Sequence, residues 1–206
     1  MDKLLQYIED HLEYPNPVLA ELEEAYRNDD AEAGPPHIGK QAGAFLRWII
    51  RLIEAQEVLE FGTAVGYSTI YLGQALKETG GRLTAIERDE GLFRRTLRNV
   101  RRAGLSDRVE VIHGDAAEVL DRLEGPYDLI LQDAAKALYP VMLDRCVDRI
   151  RTGGVLAADD ALFRPMGIRE ELARVIDEYN RLVFGNPRLI STILPVGDGL
   201  TISLKR

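Results

Sequence analysis

Apolar residues recur at helical spacing near the start of the chain: Leu4, Leu5, Ile8 and Leu12, then Leu19, Leu22 and Tyr26. A third stripe, Phe45, Leu46, Ile49, Ile50 and Ile53, predicts a helix from Ile38 to about Ile53 with one face against a core. Asn28 to Pro36, between them, is polar and contains proline, so it reads as a loop. From Glu57 the pattern changes to short apolar runs alternating with amphipathic ones. Strands are predicted at Val58–Phe61, Leu83–Glu87, Val109–His113, Tyr127–Gln132 and Gly154–Ala158. The helices between them fall at Ser68–Glu78, Gly91–Ala103, Ala116–Leu123 and Tyr139–Ile150. Such alternation specifies parallel strands joined by helical crossovers, hence a doubly wound α/β sheet. The ending breaks the rhythm. A helix from about Ile168 to Val183 leads to Leu189–Leu194 and Leu200–Leu204, which flank Gly197-Asp198-Gly199 and read as an antiparallel hairpin.

No linker-like stretch divides the 206 residues, so the expected organisation is one domain, 1–206, with a helical cover over 1–54 and a Rossmann-like core over 55–206. Hydrophobic residues at 46% and charged residues at 29% fit a folded globular chain rather than a disordered one. A single cysteine, Cys146, excludes an internal disulfide and reads as a packing residue, which suits a reducing, cytoplasmic location. Charges at Asp2 and Lys3 interrupt any signal-peptide core, and no apolar run approaches the ~20 residues that span a bilayer. The net charge of −8 argues against a sequence-blind grip on nucleic acid, though a local basic surface can still meet a structured RNA. The arginines Arg94, Arg95, Arg98, Arg101 and Arg102 read first as a solvated helix face.

In open α/β sheets, ligands bind beyond the carboxyl ends of the strands, at the switch point. The first strand leaves through Glu60-Phe61-Gly62-Thr63-Ala64-Val65-Gly66-Tyr67-Ser68. Gly62 and Gly66 allow a tight turn and close approach to a ligand, but the third glycine of a dinucleotide loop is missing. Glu60 is expected to bring negative charge to this loop, which suits an adenosyl ligand with an ammonium and a sulfonium better than a pyrophosphate. Glu87, at the second strand tip, is placed to accept from ribose hydroxyls, and Asp115, at the third, is expected to cap the next helix and also to border the adenine, the plainer reading being a cap alone. The fourth strand runs into Asp133-Ala134-Ala135-Lys136 and the fifth into Asp159-Asp160. Three converging carboxylates repel one another unless a cation sits among them. Oxygen-only ligands favour Mg²⁺, or else Mn²⁺ or Ca²⁺. Lys136, three residues past Asp133, is expected to lose proton affinity beside a metal-activated hydroxyl and a sulfonium, and so to act as a base.

These segments resemble the cation-dependent O-methyltransferases, a group that includes catechol and caffeoyl-CoA O-methyltransferases. The similarity runs from about Pro36 to Arg206 and rests on Val58 to Thr63 with Gly66-Tyr67-Ser68, Gly114-Asp115-Ala116, Tyr127 to Ile130, Asp133 to Lys136, Gly153-Gly154 and Asp159-Asp160. The resemblance implies the seven-stranded class I methyltransferase fold and S-adenosylmethionine as cofactor. It places cofactor contacts at Ile38, Ser68, Glu87, Ala116 and Asp133, to which the reading of the loops themselves adds Glu60, Gly62, Gly66, Tyr67 and Asp115. It assigns the metal to Asp133, Asp159 and Asp160, where the family usually has Asp-Asn rather than Asp159-Asp160. Ala135, together with Ile176 to Asn180 and Pro195 to Leu200, is similar to the bacterial tRNA 5-hydroxyuridine methyltransferases. That branch implies a tRNA anticodon region as partner, with a small catechol as the alternative acceptor, and a homodimer.

Overall fold

The computed structural model describes residues 3–28 and 37–206, so most of the loop expected over Asn28 to Pro36 lies outside the described residues. The amino-terminal helices are α1 (Lys3–His11), α2 (Pro17–Arg27) and α3 (Gly39–Leu52). Pro17 opens α2, where its missing N–H costs nothing, and the Asn16 side chain accepts from Val18 N at 3.1 Å as the cap. The same amide donates to the Ala103 carbonyl at 3.0 Å, tying the cover to the core. The apolar stripe of α1 packs less than its spacing suggests: Leu4 is 63% exposed and Ile8 38%.

The core alternates β1 (Glu57–Phe61), α4 (Tyr67–Thr79), β2 (Arg82–Glu87), α5 (Glu90–Arg102), β3 (Val109–His113), α6 (Ala116–Leu120), β4 (Tyr127–Gln132), α7 (Leu138–Arg149) and β5 (Ile150–Ala158). Then follow α8 (Phe163–Met166), α9 (Glu170–Gly185), β6 (Leu189–Leu194) and β7 (Leu200–Lys205). The strand order is β3-β2-β1-β4-β5-β7-β6; β7 alone runs against its neighbours, inserted between β5 and β6. Two apolar layers cover the sheet. Val58, Leu83 and Leu129 face the layer with α3 and α4, while Leu59, Phe61 and Ile130 face the layer with α7 and α9. This is the period-two alternation of a sheet buried on both faces. Among the described residues no helix is long and apolar enough to cross a membrane.

Most boundaries fall within a residue or two of the expected ones, and three differences are larger or structural. β5 starts at Ile150 rather than Gly154, because Ile150 pairs with Tyr127 ahead of a register shift that Gly153, at φ +75°, accommodates. The helix expected from about Ile168 to Val183 is α9, starting at Glu170, and a short helix the periodicity does not show, α8, precedes it and ends at Gly167, at φ +68°. α6 stops at Leu120 instead of Leu123.

Candidate active site

The carboxyl ends of β1, β4 and β5 are laced together by backbone hydrogen bonds. Asp133 N donates to Phe61 O at 2.9 Å, and Asp159 N donates to Gln132 O at 3.1 Å. Gly62, at φ +85°, permits this closure: a Cβ there would strike the Asp133 carbonyl oxygen and lie 2.8 Å from Ala134 Cα. Its first duty is therefore to let the β4 loop approach, more than to admit a ligand. Asp133 and Asp159 stand 26 positions apart in sequence, yet the tips set them side by side above the sheet.

A cavity of about 530 Å³ opens over these tips, within the size range of small-molecule sites. Ile38, Gly62, Ser68, Glu87, Asp115, Ala116 and Asp133 from the expected cofactor set line it, together with Lys136, Asp159 and Asp160. Glu60, Gly66 and Tyr67 are not in the lining. Gly66, at φ +90°, starts α4 against Thr96. The Tyr67 hydroxyl donates to Glu23 at 2.9 Å beneath the loop.

Glu60 departs from the sequence expectation. It points into the α4 layer with no exposed surface, and it accepts from Ser68 Oγ and, at 2.7 Å, from Thr69 Oγ1. Burial pushes its carboxyl up to about 8, so it stands neutral near pH 7 and brings no charge to the loop. The negative group at the loop is Glu87. Its Oε2 accepts from Thr63 N and Ala64 N, each at 3.0 Å, and its Oε1 accepts from Asp89 N at 2.9 Å. The loop amides that would cradle a pyrophosphate are thus already satisfied by a carboxylate, and Oε1 keeps room for one further donor. Asp115 performs its capping role, accepting from Ala117 N at 2.9 Å, and also lines the cavity.

The Glu60 arrangement carries a prediction. Between the ordinary carboxyl value of 4.5 and about 8, the folded chain holds one more proton than the unfolded chain, so stability falls as pH rises through that window. Glu60→Gln removes this proton. Its stability relative to the parent should therefore climb between those pH values and level off above them, as read by urea unfolding at several pH values. A difference independent of pH would mean that Glu60 is ionised in the fold.

Asp133, Asp159 and Asp160 each offer an oxygen, and these oxygens lie within 4.8 Å of one another. Asp160 holds φ +68°, a left-handed conformation that Asp and Asn tolerate better than most residues. Lys136 Nζ donates to Asp133 Oδ1 at 3.0 Å and to the Tyr139 hydroxyl at 2.9 Å, and pairs with Asp160 Oδ2 at 2.5 Å. Burial lowers the proton affinity of Lys136, but the charges of Asp133 and Asp160 outweigh it and hold the ammonium well above the ordinary lysine value. That is the opposite of the expected direction, because here Lys136 itself balances the carboxylates. Burial, then the charges of Asp133 and Asp160, drive Asp159 well above the carboxylate range, and its Oδ1 is buried with no hydrogen-bond partner. Three oxygens around one orphaned carboxylate atom fit a hard divalent cation.

Other lining residues escaped the sequence reading. Asp198, in the hairpin turn, reaches the cavity because Leu162 N donates to its carbonyl at 2.9 Å and Ala161 N donates to Gly199 O at 2.8 Å, docking the turn on the β5 loop. The turn signal was legible; its docking was not. Tyr139, three residues past Lys136, is not in the lining and reads in the sequence only as helix, although its hydroxyl accepts from Lys136. Cys146 is a packing residue as expected: buried, with its thiol pushed up to about 12 by burial. Arg94 pairs with Glu90 at 2.6 Å and Arg102 pairs with Glu21, contacts of a solvated face.

Comparison with known proteins agrees with this geometry. Residues 9–206 match the O-methyltransferase family model. A catechol O-methyltransferase of Niastella koreensis is 35% identical, over 96% of this chain and 94% of that one. A caffeoyl-CoA O-methyltransferase of Populus kitakamiensis is 27% identical, over 98% and 92%. The solved O-methyltransferase of Bacillus cereus in complex with SAH superimposes with a TM-score of 0.81 at 28% identity, covering 98% of this chain and 96% of that one. With the seven-stranded class I sheet, the cavity at its switch point and a match over nearly its whole length, the chain belongs to the O-methyltransferase family, whose members transfer a methyl group from S-adenosylmethionine.

Proposed function

We propose that this protein is a divalent-cation-dependent methyltransferase acting on the 5-hydroxyl of 5-hydroxyuridine in tRNA, to give 5-methoxyuridine. The observation that carries the chemistry is the gathering of Asp133, Asp159 and Asp160 around Lys136 at the floor of the cavity. Those three carboxylates would hold the cation, which supplies positive charge beside the reacting hydroxyl. S-adenosylmethionine supplies an electrophilic methyl on its sulfonium. Glu87, Asp115 and Ala116 bind the adenosine portion, and Gly62, Ser68 and Ile38 border the amino-acid end. Lys136 Nζ, held by the Tyr139 hydroxyl, is the candidate base: a cation among the carboxylates would carry the charge that now holds its ammonium, leaving the amine able to take the acceptor proton. Leu138, Phe163 and Leu172 line the cavity with apolar surface that excludes water. Catalysis is then mostly positioning and electrostatics.

The 5-hydroxyl and 4-carbonyl of 5-hydroxyuracil form the same neighbouring oxygen pair as a catechol, so the carboxylate site accommodates either. The tRNA reading is supported by Ala135 in the β4 loop and by the carboxyl-terminal motifs. Arg88 and Arg169, exposed at the cavity lining, also suit phosphates. A small catechol is the second reading, favoured by the Niastella relative. A homodimer belongs to the same proposal, supported by exposed Leu4, Trp48 and Leu52 on α1 and α3.

The test uses labelled S-adenosylmethionine and Mg²⁺ with 5-hydroxyuridine-containing tRNA or a simple catechol, each with and without EDTA. EDTA-sensitive transfer to the tRNA is the expected result. Transfer to the catechol alone would overturn the acceptor and keep the chemistry.

A further inference from the structure

His37 plays no part in the chemistry above, yet among the described residues leading into α3 it is held from several sides. Its ring is 6% exposed and stacks on Tyr67 with centroids 3.8 Å apart and planes 11° from parallel. Tyr26 of α2 flanks it at 5.0 Å. Its Nδ1 accepts from Gly39 N at 3.2 Å, so an imidazole serves as cap for the first N–H of α3, a helix whose N-cap residue, Ile38, makes no side-chain capping bond. Its Nε2 is buried without a hydrogen bond, 3.7 Å from a Glu23 oxygen that already accepts from the Tyr67 hydroxyl.

This places His37 between two parts of the cavity wall. On one side, His37, Ile38 and Gly39 all line the cavity, and the Ile38 carbonyl lies 3.1 Å from where a Cβ on Gly197 of the hairpin turn would stand. On the other, Tyr67 is the first residue of α4, directly after Gly66 of the β1 loop, and the next residue, Ser68, also lines the cavity. A ring stacked on Tyr67 and bonded to Gly39 fixes the distance between these two walls. We propose that His37 is a positioning residue for S-adenosylmethionine: a clasp that holds Ile38 and Gly39 over the β1 loop, so that the cofactor meets a preformed wall rather than ordering one. The proposal rests on the reading that the β1-loop end of the cavity takes the cofactor. A preformed wall lowers the ordering cost of binding without touching the transferring methyl. Loss of the clasp therefore appears in cofactor affinity and leaves turnover at saturation unchanged.

Calorimetry with S-adenosylhomocysteine, paired with steady-state kinetics, tests this on the full chain carrying His37→Ala, His37→Phe or His37→Asn. Phenylalanine keeps the stacked plate, and asparagine keeps a short acceptor for Gly39. One hydrogen bond and one stacked pair together correspond to about a tenfold change in Kd. His37→Ala should weaken S-adenosylhomocysteine by about that factor, with kcat at saturating cofactor and the KM for acceptor unchanged. His37→Phe and His37→Asn should each restore part of the affinity. Affinities within twofold of the parent in all three variants would overturn the clasp. So would kcat, acceptor KM and melting midpoint all shifting together with Kd, since that pattern marks a general packing role. Failure of the parent protein to bind S-adenosylhomocysteine would overturn the cofactor reading itself.

Discussion

Lys136→Ala should lower kcat by about 10²- to 10⁴-fold, the usual share of a positioned general base. The side chain is 12% exposed and held from three directions, by Asp133, Asp160 and the Tyr139 hydroxyl. Its loss removes the amine that would take the acceptor proton once a cation carries the charge of the carboxylates. The cofactor wall does not include the ammonium, so the Kd for S-adenosylhomocysteine should hold within a fewfold. Lys136→Arg discriminates between two roles. A guanidinium keeps the positive charge but does not give up its proton at any working pH. If Lys136 moves a proton, the arginine variant should be nearly as slow as the alanine variant. If arginine restores turnover, Lys136 acts through its charge alone. Single-turnover rates with excess enzyme separate this step from product release.

Asp159→Asn should affect activity and stability in opposite directions. Activity in Mg²⁺ should fall below detection or require more than about a hundredfold higher cation, a larger loss than the 10- to 100-fold that accompanies loss of a partner behind a metal ligand. The thermal midpoint in EDTA should instead rise. Asp159 is buried beside two like charges, with one oxygen unpartnered, so without a cation it is a strained residue that a neutral isostere relieves. The parent should gain stability on adding Mg²⁺ and the variant should not, because binding to the folded state alone raises the midpoint. A variant as active as the parent, or a parent indifferent to EDTA, would remove the cation from the reaction. Testing Asp160→Asn alongside asks what the third carboxylate contributes where the family usually has asparagine. If Lys136 balances that extra charge, as its contact at 2.5 Å indicates, the exchange should be mild.

Much of this protein was legible in the order of its residues. Strands β3, β4 and β6 run over the very residues that apolar periodicity predicts. Parallel strands carry all their carboxyl ends to one edge, so naming Asp133, Asp159 and Asp160 as neighbours needed only their places at successive strand tips. Side-chain direction was less legible. Glu60 and Glu87 both sit near strand tips, yet pleating aims one into the α4 layer and the other at the loop amides, and neighbouring atoms decide which one is charged. Likewise Gly62 reads as a ligand-facing glycine until the Asp133 carbonyl is seen to occupy the space its Cβ would need. The sign of the Lys136 shift depends on the balance between desolvation and nearby carboxylates, a sum over distances that spacing in sequence does not contain.

The amino-acid sequence alone therefore determined the element order, the sheet class and the identities of the groups at the switch point. Local periodicity and strand polarity are one-dimensional properties, and these features follow from them. Tertiary structure alone decided that β7 lies between β5 and β6, that the Gly197-Asp198-Gly199 turn docks on the β5 loop, and that His37 stacks beneath the β1 loop. Each joins segments far apart in the chain, and each is settled by which surfaces fit once the core has closed. No residue spacing records that fit.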